Sequence, residues 1–245
     1  TSYCFDSVQY GADLFALKEE GHIYSRISNP TVQVFEDRMA LLEGGVGAVA
    51  FSSGMGAINA AILNIMKAGD EIVAAPTLYG GTYNLLSNML PKFGIKVHFV
   101  DPDDPESFRA AINENTRLVY AETIGNPGIN LIDIEAIADI AHENKIPFML
   151  DNTFGTPYLI KVFEHGVDIV VHSATKFIGG HGTTLGGVVV DSGNFDWLGS
   201  GKFPCLTEPD MSYNGLNYAK DVGAAAYATK LKVQWLRDSG ACLSP

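Results

Sequence analysis

The sequence predicts an α/β protein built on a mostly parallel, seven-stranded sheet flanked by helices. Three observations carry that prediction. Seven short apolar or β-branched runs lie between residues 48 and 190, each of strand length. Segments of helical spacing alternate with them, the pattern that builds parallel sheets with helices on both faces. Several runs end in a polar residue, at the position where open α/β sheets hold ligands.

Composition narrows the function. The chain has 245 residues, of which 47% are apolar, enough for a sizeable core. Its formal charge is −12 with 16 basic residues and no long Lys/Arg run, which argues against nucleic acid and anionic membrane as partners. No apolar run reaches the ~18 residues of a membrane span. Cys4, Cys205 and Cys242 are odd in number and far apart, as expected of free thiols in a reducing, cytoplasmic compartment. The histidines and cysteines show no metal-ligand spacing, so no metal site is expected.

Residues 1–10 read as an extended arm and 12–20 as a short helix. Tyr24 and Arg26 follow, two apart on an extended segment and so facing one way. That pair suits an anion, or simply a surface arm. Ser28-Asn29-Pro30-Thr31 signals a helix start. Residues 31–43 place Val32, Phe35, Met39 and Leu42 on one helical face, and Gly44 and Gly45 stop the helix. A strand at 48–51 leads through Ser52-Ser53-Gly54-Met55-Gly56 into an apolar helix running to about residue 67. Strand, glycine-rich turn and helix together aim backbone N–H groups at a phosphate. Close packing of a helix on a strand gives the same pattern, and neither GxxxxGK[ST] nor a complete GxGxxG is present.

Strands at 71–75 and 96–100 enclose a loop with Tyr79 at the crevice edge, then a helix to about residue 90. There an aromatic ring either stacks on a flat ligand or packs inward. The acidic turn 101–105 suits the start of a helix at 106–112. The strand 117–122 ends in Glu122-Thr123-Ile124-Gly125-Asn126-Pro127, with Asn126 past the strand end. Further strands are expected at 147–150, 168–172 and 188–190, with helices at 133–143, 158–164 and 224–237. Residues 191–222 lack any period and read as a long irregular loop of the kind that serves as a lid.

Two strand ends attract the chemistry. One leads into Asp151, the other into Ser173-Ala174-Thr175-Lys176. A carboxylate, two hydroxyls and an amine around one crevice suit pyridoxal 5'-phosphate (PLP). Its aldehyde needs a lysine, its ring nitrogen an acidic partner, and its phosphate hydroxyls and N–H groups. Taken singly, a lysine is usually a solvated group and an aspartate after a strand is usually a turn residue.

The ordered set Tyr24-x-Arg26, Ser53-Gly54-Met55, Tyr79-Gly80-Gly81-Thr82, Asn126-Pro127, Asp151-Asn152-Thr153 and Ser173-Ala174-Thr175-Lys176 resembles the Cys/Met-metabolism family of PLP enzymes. The resemblance spans nearly the whole chain and implies the aspartate-aminotransferase-like fold type I. The glycine-rich stretch 179–187 resembles the branch that acts on O-acetyl-L-homoserine.

By that resemblance, Lys176 bonds the coenzyme and shuttles protons, and Asp151 pairs with the ring nitrogen. Ser53, Gly54, Met55, Ser173 and Thr175 surround the phosphate. Tyr79 stacks on the ring and acts as acid and base, Asn126 bonds the ring hydroxyl, and Thr153 lies close by. Tyr24 and Arg26 reach the phosphate of a neighbouring subunit, which implies a homotetramer assembled as a dimer of dimers. The implied reaction is γ-replacement in methionine biosynthesis, with sulfide or a thiol displacing acetate. Methionine γ-lyase and cystathionine γ-synthase are the alternatives within the family. The lyase usually carries Cys where Gly81 stands.

The chain divides on this reading into an arm with the first helix (1–47), a coenzyme-binding unit (48–222) and the start of a helix (223–245) leading to a small C-terminal domain. Both ends are abrupt, as expected of an excerpt that leaves that domain out. Ser173-x-x-Lys176 also matches the SxxK nucleophile motif, but the accompanying SDN and KTG are missing.

Overall fold

In the computed structural model, which describes residues 1–245, the apolar runs form one seven-stranded sheet. Its strands are β1 (Gly47–Phe51), β2 (Glu71–Ala74), β3 (Lys96–Phe99), β4 (Thr116–Glu122), β5 (Phe148–Asp151), β6 (Ile169–His172) and β7 (Gly187–Asp191). The spatial order is β1-β7-β6-β5-β4-β2-β3. Only β7 runs against its neighbours, β1 and β6; the remaining pairs are parallel.

The strands alternate between two cores. Leu118, Tyr120 and Met149 point into one layer; Val119, Ala121, Phe148 and Leu150 point into the other. Burial on both faces explains why the strands read as continuous apolar runs rather than as polar/apolar alternation. The first layer holds α3 (Gly54–Leu63) and the helical segment 226–239. The second holds α5 (Pro105–Ala111) and α6 (Ile134–Glu143), with Met39 and Ala40 of α2 (Pro30–Glu43) at its edge.

Capping fixes the helix starts. Asn29 accepts the Thr31 N–H ahead of Pro30 in α2, Ser53 accepts the Gly56 N–H in α3, and Asp133 accepts the Ala136 N–H in α6. Asp104 does the same for α5, so part of the acidic turn is a cap.

Four expected elements differ. The first helix, α1, is Val8–Phe15 rather than 12–20, because Ser7 caps it by accepting the Tyr10 N–H and Leu17 turns to positive φ beyond its end. Helix α3 stops at Leu63. The Asn64 carbonyl is taken by the Lys230 amine at 2.8 Å, and the Asn64 amide donates to Tyr227 O. The helix expected at 158–164 is two short turns, Thr156–Leu159 and Val162–His165, parted by extended Ile160. The helix before residue 90 begins as α4 (Gly80–Asn84), widens over Leu85–Met89 and tightens over Leu90–Phe93, where Pro91 has no N–H to donate.

The segment 191–222 is not a lid. It folds into short turns whose aromatics enter the first core layer: Trp197 stacks on Tyr227 with ring centres 5.7 Å apart, and Phe203 meets Trp197 edge-on at 5.0 Å. A core can be filled by residues without any period.

Gly187 opens β7 where that strand passes close against the backbone of Ser53. A Cβ there would lie 2.1 Å from the Ser53 carbonyl oxygen, backbone that cannot swing away. Gly187→Ala is expected to lower the free energy of unfolding by ~1–3 kcal/mol. Gly80→Ala, with open space around the new methyl group, should change it by no more than ~1 kcal/mol. Denaturant titration of both variants checks the contrast.

Candidate coenzyme site

The parallel pairings bring three strand ends to one level. Glu122 stands beside Asp151, and Asp151 beside Val171, one residue short of the end of β6. The polar residues that follow these strands therefore meet in one cleft. Its cavity of about 320 Å³ is lined by Ser53, Gly54, Met55, Tyr79, Asn126, Asp151, Thr153, Ser173, Thr175 and Lys176. Ten of the twelve residues singled out in the sequence are thus brought together.

The other two are not in this cavity. Arg26 donates to the Arg237 carbonyl and lies over the Tyr24 ring, 5.4 Å from its centre. Glu122, Ile58, Ile124, Phe154 and Leu185 complete the lining and went unrecognised in the sequence. Glu122 carries the same signal as Asp151, a carboxylate closing an apolar strand.

At one end the cavity has the makings of an anion cradle. The N-terminus of α3 abuts the residue after β6: a Cβ on Gly54 would lie 2.6 Å from Ser173 Cβ. The first N–H groups of a helix have no partner within it, and here those of Gly54 and Met55 face the same space as the Ser173 hydroxyl. Thr175 is committed elsewhere: its N–H and hydroxyl donate to Gly186 O, and its Oγ1 accepts the Gly186 N–H. This clasp closes the neck of the glycine-rich loop and seats Lys176 on the turn after β6, its side chain making no hydrogen bond within the chain.

Asp151, 6% exposed, lines the same cavity. Its Oδ1 accepts the Thr153 N–H at 2.9 Å and the Thr153 hydroxyl at 2.5 Å, while Oδ2 has no protein partner. Burial pushes the carboxyl up from its ordinary range; the two Thr153 bonds and the nearby His172 pull it back toward ionisation. A buried carboxylate with an unspent oxygen calls for a cationic or N–H partner. Thr153 also accepts the Ser173 N–H at 2.8 Å, so one hydroxyl joins β5 to β6.

Tyr79, 51% exposed, stands at the mouth. Its N–H donates to Glu122 Oε1 at 2.6 Å. Burial, then the charge of Asp151, raises the Glu122 carboxyl to about 8.

Behind the cavity lies a fully buried pair, His172 Nε2 and Glu43 Oε1, at 2.5 Å. Asn152 donates to the same Glu43 oxygen and accepts the Thr123 hydroxyl. Pyridoxal 5'-phosphate fits the donor set as a whole: an amine for its aldehyde, an open carboxylate oxygen for its ring nitrogen, an aromatic ring, and a cradle for its phosphate.

Comparison with known proteins agrees with this geometry. The family model described as Cys/Met metabolism PLP-dependent enzyme matches residues 1–245. An O-acetyl-L-homoserine sulfhydrylase of Leptospira meyeri is 52% identical over the whole chain, which covers 57% of that protein. A homocysteine synthase of Schizosaccharomyces pombe is 51% identical, with 58% of its length covered. The chain therefore spans rather more than half the length of the curated relatives it matches. The crystal structure of an O-acetylhomoserine (thiol)-lyase from Campylobacter jejuni, which carries a pyridoxyl-lysine monophosphate, superposes with a TM-score of 0.95 at 38% identity. That match covers all of this chain and 61% of the other. A cystathionine gamma-lyase from Lactobacillus plantarum follows at 0.78 and 32%, with all of this chain and 53% of that one covered.

Thr153→Val keeps the shape and removes the shared hydroxyl. It strands the Ser173 N–H and strips a donor from Asp151. Unfolding free energy should fall by ~1–3 kcal/mol, and Thr153→Ser should recover most of it; denaturant titration of the pair is the check.

Proposed function

This chain belongs to the Cys/Met metabolism family of PLP-dependent enzymes, and from that premise we propose that the complete protein replaces the acetoxy group on the γ-carbon of O-acetyl-L-homoserine by sulfide or a thiol, releasing acetate. With sulfide the products are L-homocysteine and acetate, a step of methionine biosynthesis. The observation that carries the proposal is the convergence of Lys176, Asp151, Tyr79 and the α3 cradle on one cavity.

When bound, pyridoxal 5'-phosphate supplies an electron sink for negative charge developed on substrate carbon. The residues of the chain do the rest. Asp151 would hold a proton at the ring nitrogen, with Oδ2 left free to accept it and Thr153 fixing the other oxygen. Gly54, Met55 and Ser173 would hold the phosphate. Lys176, on a flexible stem above a clasped backbone, takes the proton from the substrate α-carbon and returns protons as the new bond is completed. Tyr79 would lie against the ring and serve as a second acid and base, and Asn126 would hold the ring hydroxyl.

Gly81 favours replacement over the methionine lyase reaction. A Cβ there would lie 2.6 Å from Tyr79 Cε1, so the ring occupies the space that a cysteine at this position would need. The names of relatives about half identical to this chain support the same choice.

The proposal extends to assembly. Tyr24 and Arg26, outside their own cavity, serve the phosphate of a neighbouring subunit in a dimer of dimers. Exposed Leu41, Leu42, Tyr158 and Leu185 around a groove of about 1290 Å³ support a subunit contact there. Residues 48–222 form the coenzyme-binding unit. The three unpaired cysteines support a cytoplasmic location; no helix is long and apolar enough to cross a membrane.

The test is product analysis on the full-length protein. O-acetylhomoserine plus sulfide should give homocysteine and acetate, and methionine alone should give no thiol. Lys176→Ala should lose the coenzyme adduct fixed by borohydride and at least ~100-fold in turnover. Thiol release from methionine, with no homocysteine from the first mixture, would replace this reading by the lyase.

A further inference from the structure

Glu122 is a second buried carboxyl in the cavity that no step above uses. It ends β4 in register with Asp151 on β5, and both line the same space. Two carboxyls so placed, away from water, do not both ionise. Their donors decide which one does. Asp151 receives two hydrogen bonds, from the Thr153 N–H and hydroxyl, and has His172 nearby. Glu122 receives one, from the Tyr79 N–H. The other titratable groups around the pair are Lys176 on the turn after β6, Tyr79 at the mouth, and Tyr120 on β4, whose buried hydroxyl has no hydrogen-bond partner. Glu122 forms no ion pair: the Lys176 amine shares the cavity but makes no salt bridge to it.

We propose that Glu122 is a positioning residue of the coenzyme site, a neutral carboxyl that anchors the backbone of Tyr79 and leaves the single negative charge of the pair on Asp151. One oxygen serves as the acceptor at the start of α4, setting the height of the Tyr79 ring above the cavity floor. The retained proton keeps a second anion away from the carboxylate that faces the ring nitrogen. The direction of the Glu122 shift agrees: burial first, then Asp151, raise it.

This inference rests on the cavity being the coenzyme site, and the experiment separates the two. Coenzyme uptake by the wild-type holoenzyme, read as a borohydride-sensitive absorbance band, tests the site alone. Infrared spectra of protein labelled with carbon-13 at the glutamate carboxyls test the proton. At pH 7 the wild type should show a protonated-carboxyl band that Glu122→Gln removes; a difference spectrum containing only ionised carboxylate overturns the proposal. Coenzyme retention tests the anchor. Glu122→Gln, which keeps an oxygen for the Tyr79 N–H, should hold the coenzyme within about twofold of wild type, whereas Glu122→Ala should release it about tenfold more readily. Equal retention by Gln and Ala variants overturns the anchoring role. If Glu122→Ala does not fold, the Gln variant and the infrared band still decide.

Discussion

The hydroxyl of Thr153 sets the distance on which the cavity depends. It donates to Asp151 at the end of β5 and accepts from the backbone of Ser173 just past β6. The carboxylate and the anion cradle are thereby held at a fixed separation by a single atom, and the sheet register supplies the rest. A flat ligand with a basic nitrogen at one edge and a phosphate at the other is measured by that separation. Partly shielded from water, these bonds work where a lost partner is costly, so the spacing is stiff.

Charge is arranged around the same point. Acidic side chains outnumber basic ones by 28 to 16, yet the site is not a uniform anion. His172 and Glu43 pair behind it, Asn152 and Thr123 close the hydrogen bonding around them, and the cradle offers N–H groups and a hydroxyl rather than fixed cations. The negative end of the cavity is confined to one strand end and the anion-binding end to another. That polarity suits a ligand that is basic at one edge and anionic at the other.

Much of this was legible in the sequence. The strands were visible because burial on both faces leaves runs such as Ile169–His172 almost wholly apolar, and their ends located Asp151 and Lys176. What escaped was set by contacts far apart in the chain. Helix α3 ends where Lys230, over 160 residues away, takes the Asn64 carbonyl. The aromatics of 195–203 are core without periodicity because their partners lie on other segments. Glu122 carried a readable signal, a carboxylate at a strand end, but its meaning depends on Asp151 being its neighbour, which only the strand order settles.

The clasp between Thr175 and Gly186 has a mechanical consequence. It pinches the glycine-rich loop at its base, while the Gly179 and Gly180 N–H groups tie back to Ala174 O and Lys176 O, so only the tip from His181 onward is left outside the bonds that hold the lysine seat. Exchanges confined to that tip leave the backbone under Lys176 held by the same bonds.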